Sequence, residues 1–383
     1  MNDAKANTIG RSSNPLLDLR QYGQSPWLDY IHRSLVKSGE LGRMITECGL
    51  KGVTSNPAIF EKAIAGSDDY RDLLVQPDAA KSGAEALYER IAVRDIQDAA
   101  DVLRPVYAAS DRHDGYVSLE VSPRLAHDTD GTIADARRLW AAVARPNVMI
   151  KVPATPAGIP AVRTLIGEGI NVNVTLIFAQ DVYREVAAAY IDGLEQRLAK
   201  GGDLSGIASV ASFFVSRIDT AVDAEIERLR AQTRDTQMQS LLENLRGKVA
   251  IANAKLAYTL YGEIVSSARW QALAGRGAQT QRLLWASTGT KNPAYSDVLY
   301  VEELIGRDTV NTMPPATLEA FRDHGRLRPS LGEDLQAAAR VMESLDAVGI
   351  AMAQVTQRLL DEGVALFADA FDKLLAAVAR HTG

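Results

Sequence analysis

Eight short apolar runs punctuate this chain, and stretches of helical periodicity separate them; that alternation leaves few folds open. We read strand cores at Pro26–Tyr30, Leu50–Ser55, Tyr116–Ser122, Val148–Pro153, Ile170–Ile177, Ile207–Phe214, Arg282–Ser287 and Thr309–Met313. Helical patterns fall between them, at Ser34–Cys48, Ala84–Ala109, Ile133–Val143, Gly158–Gly167, Gln180–Ala199 and Arg217–Leu229. A longer pair covers 236–273, a short one lies near Ser296–Leu304, and further helical patterns run from Ala316 to the end. Alternating strands and helices imply a parallel sheet. Eight such units predict an α/β fold, a closed (β/α)8 (TIM) barrel with additional helices. No Gly-rich phosphate loop follows any strand, which counts against an open dinucleotide-binding sheet. Residues 1–24, rich in Ser, Asn and Gly, read as an extended or mobile arm, leaving 25–383 as a single barrel domain.

A formal net charge of −6 over 383 residues leaves no basic footprint for nucleic acid or an anionic membrane. Cys48 is the only cysteine, so an internal disulfide is impossible, as expected in a reducing cytoplasm. The first residues lack the apolar core of a signal peptide, and no run approaches a membrane span.

The segment Asn147–Phe178, NVMIKVPATPAGIPAVRTLIGEGINVNVTLIF, carries most of the chemistry. Side chains alternate across a strand, so Asn171, Asn173 and Thr175 share one face and Ile170, Val172, Val174 and Leu176 the other. The other strands sort the same way: Glu120 lies opposite the Val117, Leu119 and Val121 face, Lys151 opposite Ile150 and Val152, and Asp29 and Asn56 on their own polar faces. With the apolar faces against the helices, Asp29, Asn56, Glu120, Lys151, Asn173 and Thr175 point into the barrel. Isolated buried charges cost on the order of several kcal/mol, so such a set is a poor core and an ordinary catalytic pocket. Each residue taken singly also has a plain structural reading. Lys151 with Glu120 suits a buried ion pair, Asn56 before Pro57 a helix cap, Asn171 and Asn173 backbone satisfaction, and Asp29 a local pair with His32 or Arg33.

A buried lysine points to imine chemistry. In water the amine is almost wholly protonated at neutral pH, and desolvation disfavours the ammonium. The free amine attacks a ketone, and the protonated imine then acts as an electron sink for C–C cleavage. Glu120 and Asp29 supply carboxyls for the proton transfers, and Asn56, Asn173 and Thr175 can hold hydroxyls or a water. For the phosphate of a sugar phosphate, the ends of strands 6 and 7 offer Ser212, Arg217, Ser287 and Lys291. Arg217 has a plain alternative as well, pairing with Asp219 or Asp223 in its first helical turn.

Together, GVTSNPAIF at 52–60, VSLEVSPRLAHDT at 117–129, IKVPAT at 150–155, GINVNVTLIF at 169–178 and ASFFVSRID at 211–219 resemble the transaldolase family, in the family's order, over about residues 20–320. The resemblance implies a cofactor-free and metal-free class I aldolase on a (β/α)8 barrel. Such an enzyme transfers a dihydroxyacetone unit from sedoheptulose 7-phosphate to glyceraldehyde 3-phosphate, giving erythrose 4-phosphate and fructose 6-phosphate, in the pentose phosphate pathway. It further implies Lys151 as Schiff-base lysine, Glu120 as acid/base through a water held by Thr175, and Asp29 as the carboxylate handling the sugar hydroxyl proton. Asn56 and Asn173 match contacts to substrate hydroxyls, and Ser212 and Arg217 match phosphate contacts. Many members carry a second phosphate arginine shortly after strand 7; here the segment reads WASTGTKNP and Lys291 is the nearest cation. Expected partners are phosphorylated ketoses and aldoses, with the protein a monomer or homodimer.

Three other readings compete: a Schiff-base aldolase without transfer, a metal-dependent barrel lyase or isomerase, and a non-catalytic sugar-phosphate sensor. His32, His113, His127, His324 and His381 show no metal-ligand spacing, and His127 with Asp128, after strand 3, offers a loop ligand pair. A sensor has no need of an inward lysine flanked by two carboxylates.

Overall fold

The structure, a computed structural model, describes residues 14–74 and 79–380. Eight parallel strands close into a barrel in sequential order: β1 Gln24–Asp29, β2 Gly52–Thr54, β3 Tyr116–Glu120, β4 Val148–Pro153, β5 Val172–Ile177, β6 Ser209–Phe214, β7 Arg282–Ala286 and β8 Thr309–Met313. Every expected strand forms, with ends shifted by a few residues. Their outward faces are apolar and pack on the helical shell, as buried parallel strands require.

Pairing register places the inward side chains at common heights. Asp29 lies opposite Thr54. Glu120 lies opposite Lys151, Lys151 opposite Asn173, and Pro153 opposite Thr175. Below them Trp27 lies opposite Gly52, where an added Cβ would stand 2.4 Å from the indole, so glycine leaves the room that the ring fills.

Local chemistry explains where the elements depart from expectation. Of the expected mobile arm, residues 1–13 lie outside the described part and 14–24 are ordered. Asn14 caps a helix Pro15–Asp18, a 3-10 turn Leu19–Tyr22 follows, and Leu16 and Leu19 are buried. Proline at the first helical position and an Asn cap suit a helix start, and two leucines at i,i+3 supply its buried face. The expected helix Ser34–Cys48 divides into Arg33–Lys37 and Glu40–Cys48 because Gly39 takes a left-handed φ of 75°. The helix that Asn56 is expected to cap runs Pro57–Ala65. The pair at 236–273 is three helices, Thr236–Leu245, Val249–Ser266 and Ala268–Ala274. Cys48 is buried, as a small apolar residue would be.

The C-terminal helix Met352–Arg380 lies against β5, against the helices Pro57–Ala65, Ala79–Ala109 and Ser216–Gln232, and against the turn after β3. Val355, Leu359, Gly363, Phe367, Phe371, Leu374 and Val378 make its buried stripe. No described helix is long and apolar enough to cross a membrane.

At the opposite, N-terminal end of the barrel, Arg282 donates to Asp114 Oδ1 at 2.9 Å, to Ser25 Oγ at 3.0 Å and to the carbonyl of His113 at 2.6 Å. Ser25 donates in turn to Asp114 Oδ2 at 3.0 Å. Removing one partner of a buried ion pair leaves the other uncompensated. Asp114→Ala should therefore destabilise the fold by about 3–5 kcal/mol in urea denaturation.

Candidate active site

Lys151 stands near the C-terminal end of β4 with its side chain 6% exposed. Its Nζ donates to the carbonyl of Ser55 at 2.9 Å and lies 3.5 Å from Glu120 Oε2. The expected buried ion pair is therefore real, and it does not exhaust the carboxylate. Glu120 Oε2 is buried and makes no hydrogen bond. Burial pushes the Glu120 carboxyl up to about 6, against the opposing pull of Lys151, with Asp29 adding to the rise.

Asp29 accepts from Thr54 Oγ1 at 2.8 Å, and Thr54 Oγ1 also lies 2.8 Å from Thr312 Oγ1. With the Thr54 proton committed to Asp29, Thr312 is the donor in that second bond. Burial also raises the Asp29 carboxyl; the charge of Lys151, the Thr54 hydrogen bond, Lys291 and Arg217 oppose it. The local pairing considered for Asp29 does not occur. His32 pairs with Asp69, and Arg33 with Asp95 and Asp72. Two carboxyls raised by burial within one site are suited to exchanging protons with a substrate near neutral pH.

Asn173 is fully buried and held on both sides. Its Nδ2 donates to Ser118 Oγ at 3.0 Å, and its Oδ1 accepts from Ser212 Oγ at 2.6 Å. Ser212 would have to leave Asn173 to donate to a phosphate; as it stands, it orients the amide. One Asn173 N–H remains for a substrate hydroxyl. Asn171, two residues down the same face, donates to the carbonyls of Pro146 and Val148 and accepts from Ala208 N, a purely structural use. Asn56 caps the helix Pro57–Ala65 by accepting from Ile59 N at 3.0 Å, which leaves its amide nitrogen without a protein partner. Thr175 Oγ1 is buried with no hydrogen-bond partner among the described residues, and a buried hydroxyl is ordinarily paired with protein, water or a ligand.

Thr175 precedes a kink in β5. Leu176 has φ 59°, and the pairing with β6 shifts register between Val174 and Ile177. A left-handed leucine inside a strand is strained, and bulges of this kind beside active sites re-aim neighbouring side chains.

Arg217 sits in the first turn of the helix Ser216–Gln232, its guanidinium 5.3 Å from the centroid of the Phe214 ring. The partners considered for it are taken: Asp219 accepts from Ala250 N and Tyr300, and Asp223 from Gly247 N and Tyr295. Arg217 has no ion pair of its own within the described residues, and burial lowers its pKa against the pull of Asp29 and Glu362. An unpaired, half-buried guanidinium at a helix N-terminus opposes the macrodipole unless an anion joins it. Lys291 is exposed on the loop after β7, and its charge acts on Asp29. Ser287 Oγ is 2.9 Å from Ser216 Oγ across the β6 and β7 ends.

Among the described residues no three His, Cys, Asp or Glu side chains gather as metal ligands; Asp128 caps the helix Thr129–Val143, and His381 lies outside the described part. Two larger clefts, of about 460 and 550 Å³, lie in the helical shell and share no residue with this cluster.

The sequence matches the profile of the Transaldolase/Fructose-6-phosphate aldolase family over residues 26–378. The chain belongs to this family. It is 50% identical over 366 residues to a protein named transaldolase from Trichodesmium erythraeum, covering 95% of this chain and 96% of that one. It is 49% identical over 373 residues to a transaldolase of Thermobifida fusca (96% and 98% covered) and 48% identical over 361 residues to one of Thiobacillus denitrificans (94% and 98% covered). The barrel register brings Lys151, Glu120 and Asp29 toward the C-terminal ends of β4, β3 and β1.

Thr312 and Phe367 were not anticipated. Thr312 lies in TVNTM, where nothing marks one threonine over the other; Phe367 sits in a helix whose apolar stripe has many equivalent members. With Glu120 titrating near pH 6, its base form is lost as pH falls through that value. kcat/KM should fall on the acid side of about pH 6, and Glu120→Gln should abolish that limb and lower activity at pH 7 by roughly 100-fold or more. An unchanged acid limb in the variant would remove Glu120 from the proton transfers.

Proposed function

We propose that this protein is a transaldolase working through a Schiff base on Lys151, with phosphorylated ketoses as donors and phosphorylated aldoses as acceptors. The observation that carries the reading is the buried amine 3.5 Å from a carboxylate whose own proton affinity is raised. The relatives bearing that name cover nearly the whole chain.

The geometry supports the following course. Glu120 takes a proton from the Lys151 ammonium, and the free amine adds to the donor's ketone carbon. A water bound at the Thr175 hydroxyl relays protons between Glu120 and the carbinolamine oxygen, which leaves as water. Asp29 then accepts the proton of the hydroxyl on the far side of the scissile C–C bond. The bonding pair moves into the imine and leaves an enamine, and the aldose product departs. An acceptor aldehyde takes its place and the steps reverse. Asn56 and Asn173 offer amide N–H groups to the sugar hydroxyls, and Arg217 faces the phosphate, with Lys291 a second cation. Lysine contributes point charge without the bidentate fork of arginine.

Borohydride reduction in the presence of fructose 6-phosphate, followed by peptide mapping, should leave a stable adduct on Lys151, and Lys151→Ala should be inactive. No adduct together with an active variant would sink the proposal. Treatment with EDTA should leave turnover unchanged. Arg217→Ala should raise KM for fructose 6-phosphate by roughly 10- to 100-fold, the worth of a charge-assisted hydrogen-bond set, and change KM for unphosphorylated fructose little. Equal effects on the two sugars would take Arg217 out of phosphate binding.

A further inference from the structure

The C-terminal helix meets the site with three residues on one face, spaced i, i+4 and i+8, each against a different wall. Gly363 lies on β5, where an added Cβ would stand 2.9 Å from Leu176 Cδ2 and 3.6 Å from Arg217 Nη1. Phe371 packs edge-on against Tyr88 at 5.7 Å and lies under the Arg124 guanidinium at 5.4 Å. Arg124 also binds the next residue, Asp372, at 2.6 Å. Between these two anchors Phe367 is carried over the nucleophile, its ring centroid 5.9 Å from Lys151 Nζ. The helix is rotated so that Phe367 is 7% exposed while Leu366 beside it is 54% exposed. A large aromatic therefore roofs the amine by construction, since both anchors fix its height and rotation.

We infer that Phe367 is a further specificity-determining residue, one that keeps the enamine from reacting with water so that the dihydroxyacetone unit is transferred rather than released. The inference rests on the Schiff-base reading of Lys151. Its ring acts in two ways. The face sits within cation–π range of the nitrogen and favours the positively charged iminium over its hydrolysis. The apolar bulk holds water off the enamine carbon while the site waits for an acceptor. The reaction it suppresses is addition of one water to the enamine. The enamine carbon gains a proton, water adds at the resulting iminium carbon, and the C–N bond breaks. Overall the water oxygen becomes the ketone oxygen, and its two hydrogens end on the carbon and on the Lys151 amine. The products are free dihydroxyacetone and the regenerated lysine.

The test supplies fructose 6-phosphate with no acceptor and measures free dihydroxyacetone, alongside transfer to an added aldose phosphate. The wild type should stop near one cleavage per site. Phe367→Ala should keep turning over, with the ratio of released to transferred dihydroxyacetone raised about tenfold, the size expected from losing a desolvated cation–π contact and its cover. Phe367→Leu, which keeps apolar bulk and guards against misfolding of the smaller variant, should raise the ratio several-fold. Either variant losing total activity with an unchanged ratio would reduce Phe367 to a structural contact and overturn the inference. Absence of a borohydride-stable adduct on Lys151 in the wild type is a separate result: it removes the Schiff base itself before Phe367 is tested.

Discussion

The contact between Lys151 and Glu120 is the constraint on which the site depends. An ammonium and a carboxylate, each 6% exposed, stand 3.5 Å apart inside a barrel whose outward faces are apolar. Desolvating such ions costs on the order of several kcal/mol each, and a single contact at that distance does not return it all. The Ser55 carbonyl takes another Lys151 proton, yet Glu120 Oε2 goes without a hydrogen bond. The pair is thus held in a state of unmet demand by the closed barrel and the helix above it. That tension raises the proton affinity of Glu120 and gives it a use as a base close to neutral pH.

Register turns this local tension into a site. Because inward side chains repeat every second residue, parallel pairing of β3, β4 and β5 puts Glu120, Lys151 and Asn173 side by side. A slip of one residue in any of these strands would send its polar set into the helical shell and its valines into the pocket. The apolar outward faces make that slip expensive, so the same hydrophobic pattern that closes the barrel also aligns the reacting groups. Ser118 and Ser212, on the neighbours of β4 and β5, then clamp Asn173 from opposite sides.

What could be read from the sequence follows from this periodicity. The eight strands and the inward residues were legible because a polar side chain at every second position of an otherwise apolar run has few explanations. Thr175 and Asn173 were visible for that reason. The kink at Leu176 was not, since its left-handed backbone comes from packing and no glycine marks it. Ser212 illustrates a different limit: the sequence suggested a phosphate contact, whereas its hydroxyl bonds Asn173, a pairing that depends on how far β6 is shifted along β5. The roof was least legible. Phe367 reaches Lys151 across more than half the chain, through a helix whose stripe of equivalent apolar residues names none of them. Residues 14–22 show the converse, a polar-looking segment ordered by one cap, one proline and two leucines.

Several groups of this cluster have no protein partner, among the described residues, for what their chemistry calls for. Thr175 has a buried hydroxyl without a partner, Glu120 a buried oxygen without a donor, and Arg217 a guanidinium without a counter-ion in an unfavourable place on its helix. Each of these weakens the folded state, since buried polar groups left unpaired are costly. They do not lie scattered over the molecule. Glu120 and Thr175 lie toward the C-terminal ends of β3 and β5, and Arg217 follows β6, the strand beside β5. A ligand that met all of them at once would recover stabilisation that the protein forgoes without it, and by linkage would bind with that recovered free energy. On the proposed reading, the same unmet demands that make this region a poor core would favour a phosphorylated sugar over a smaller or uncharged one.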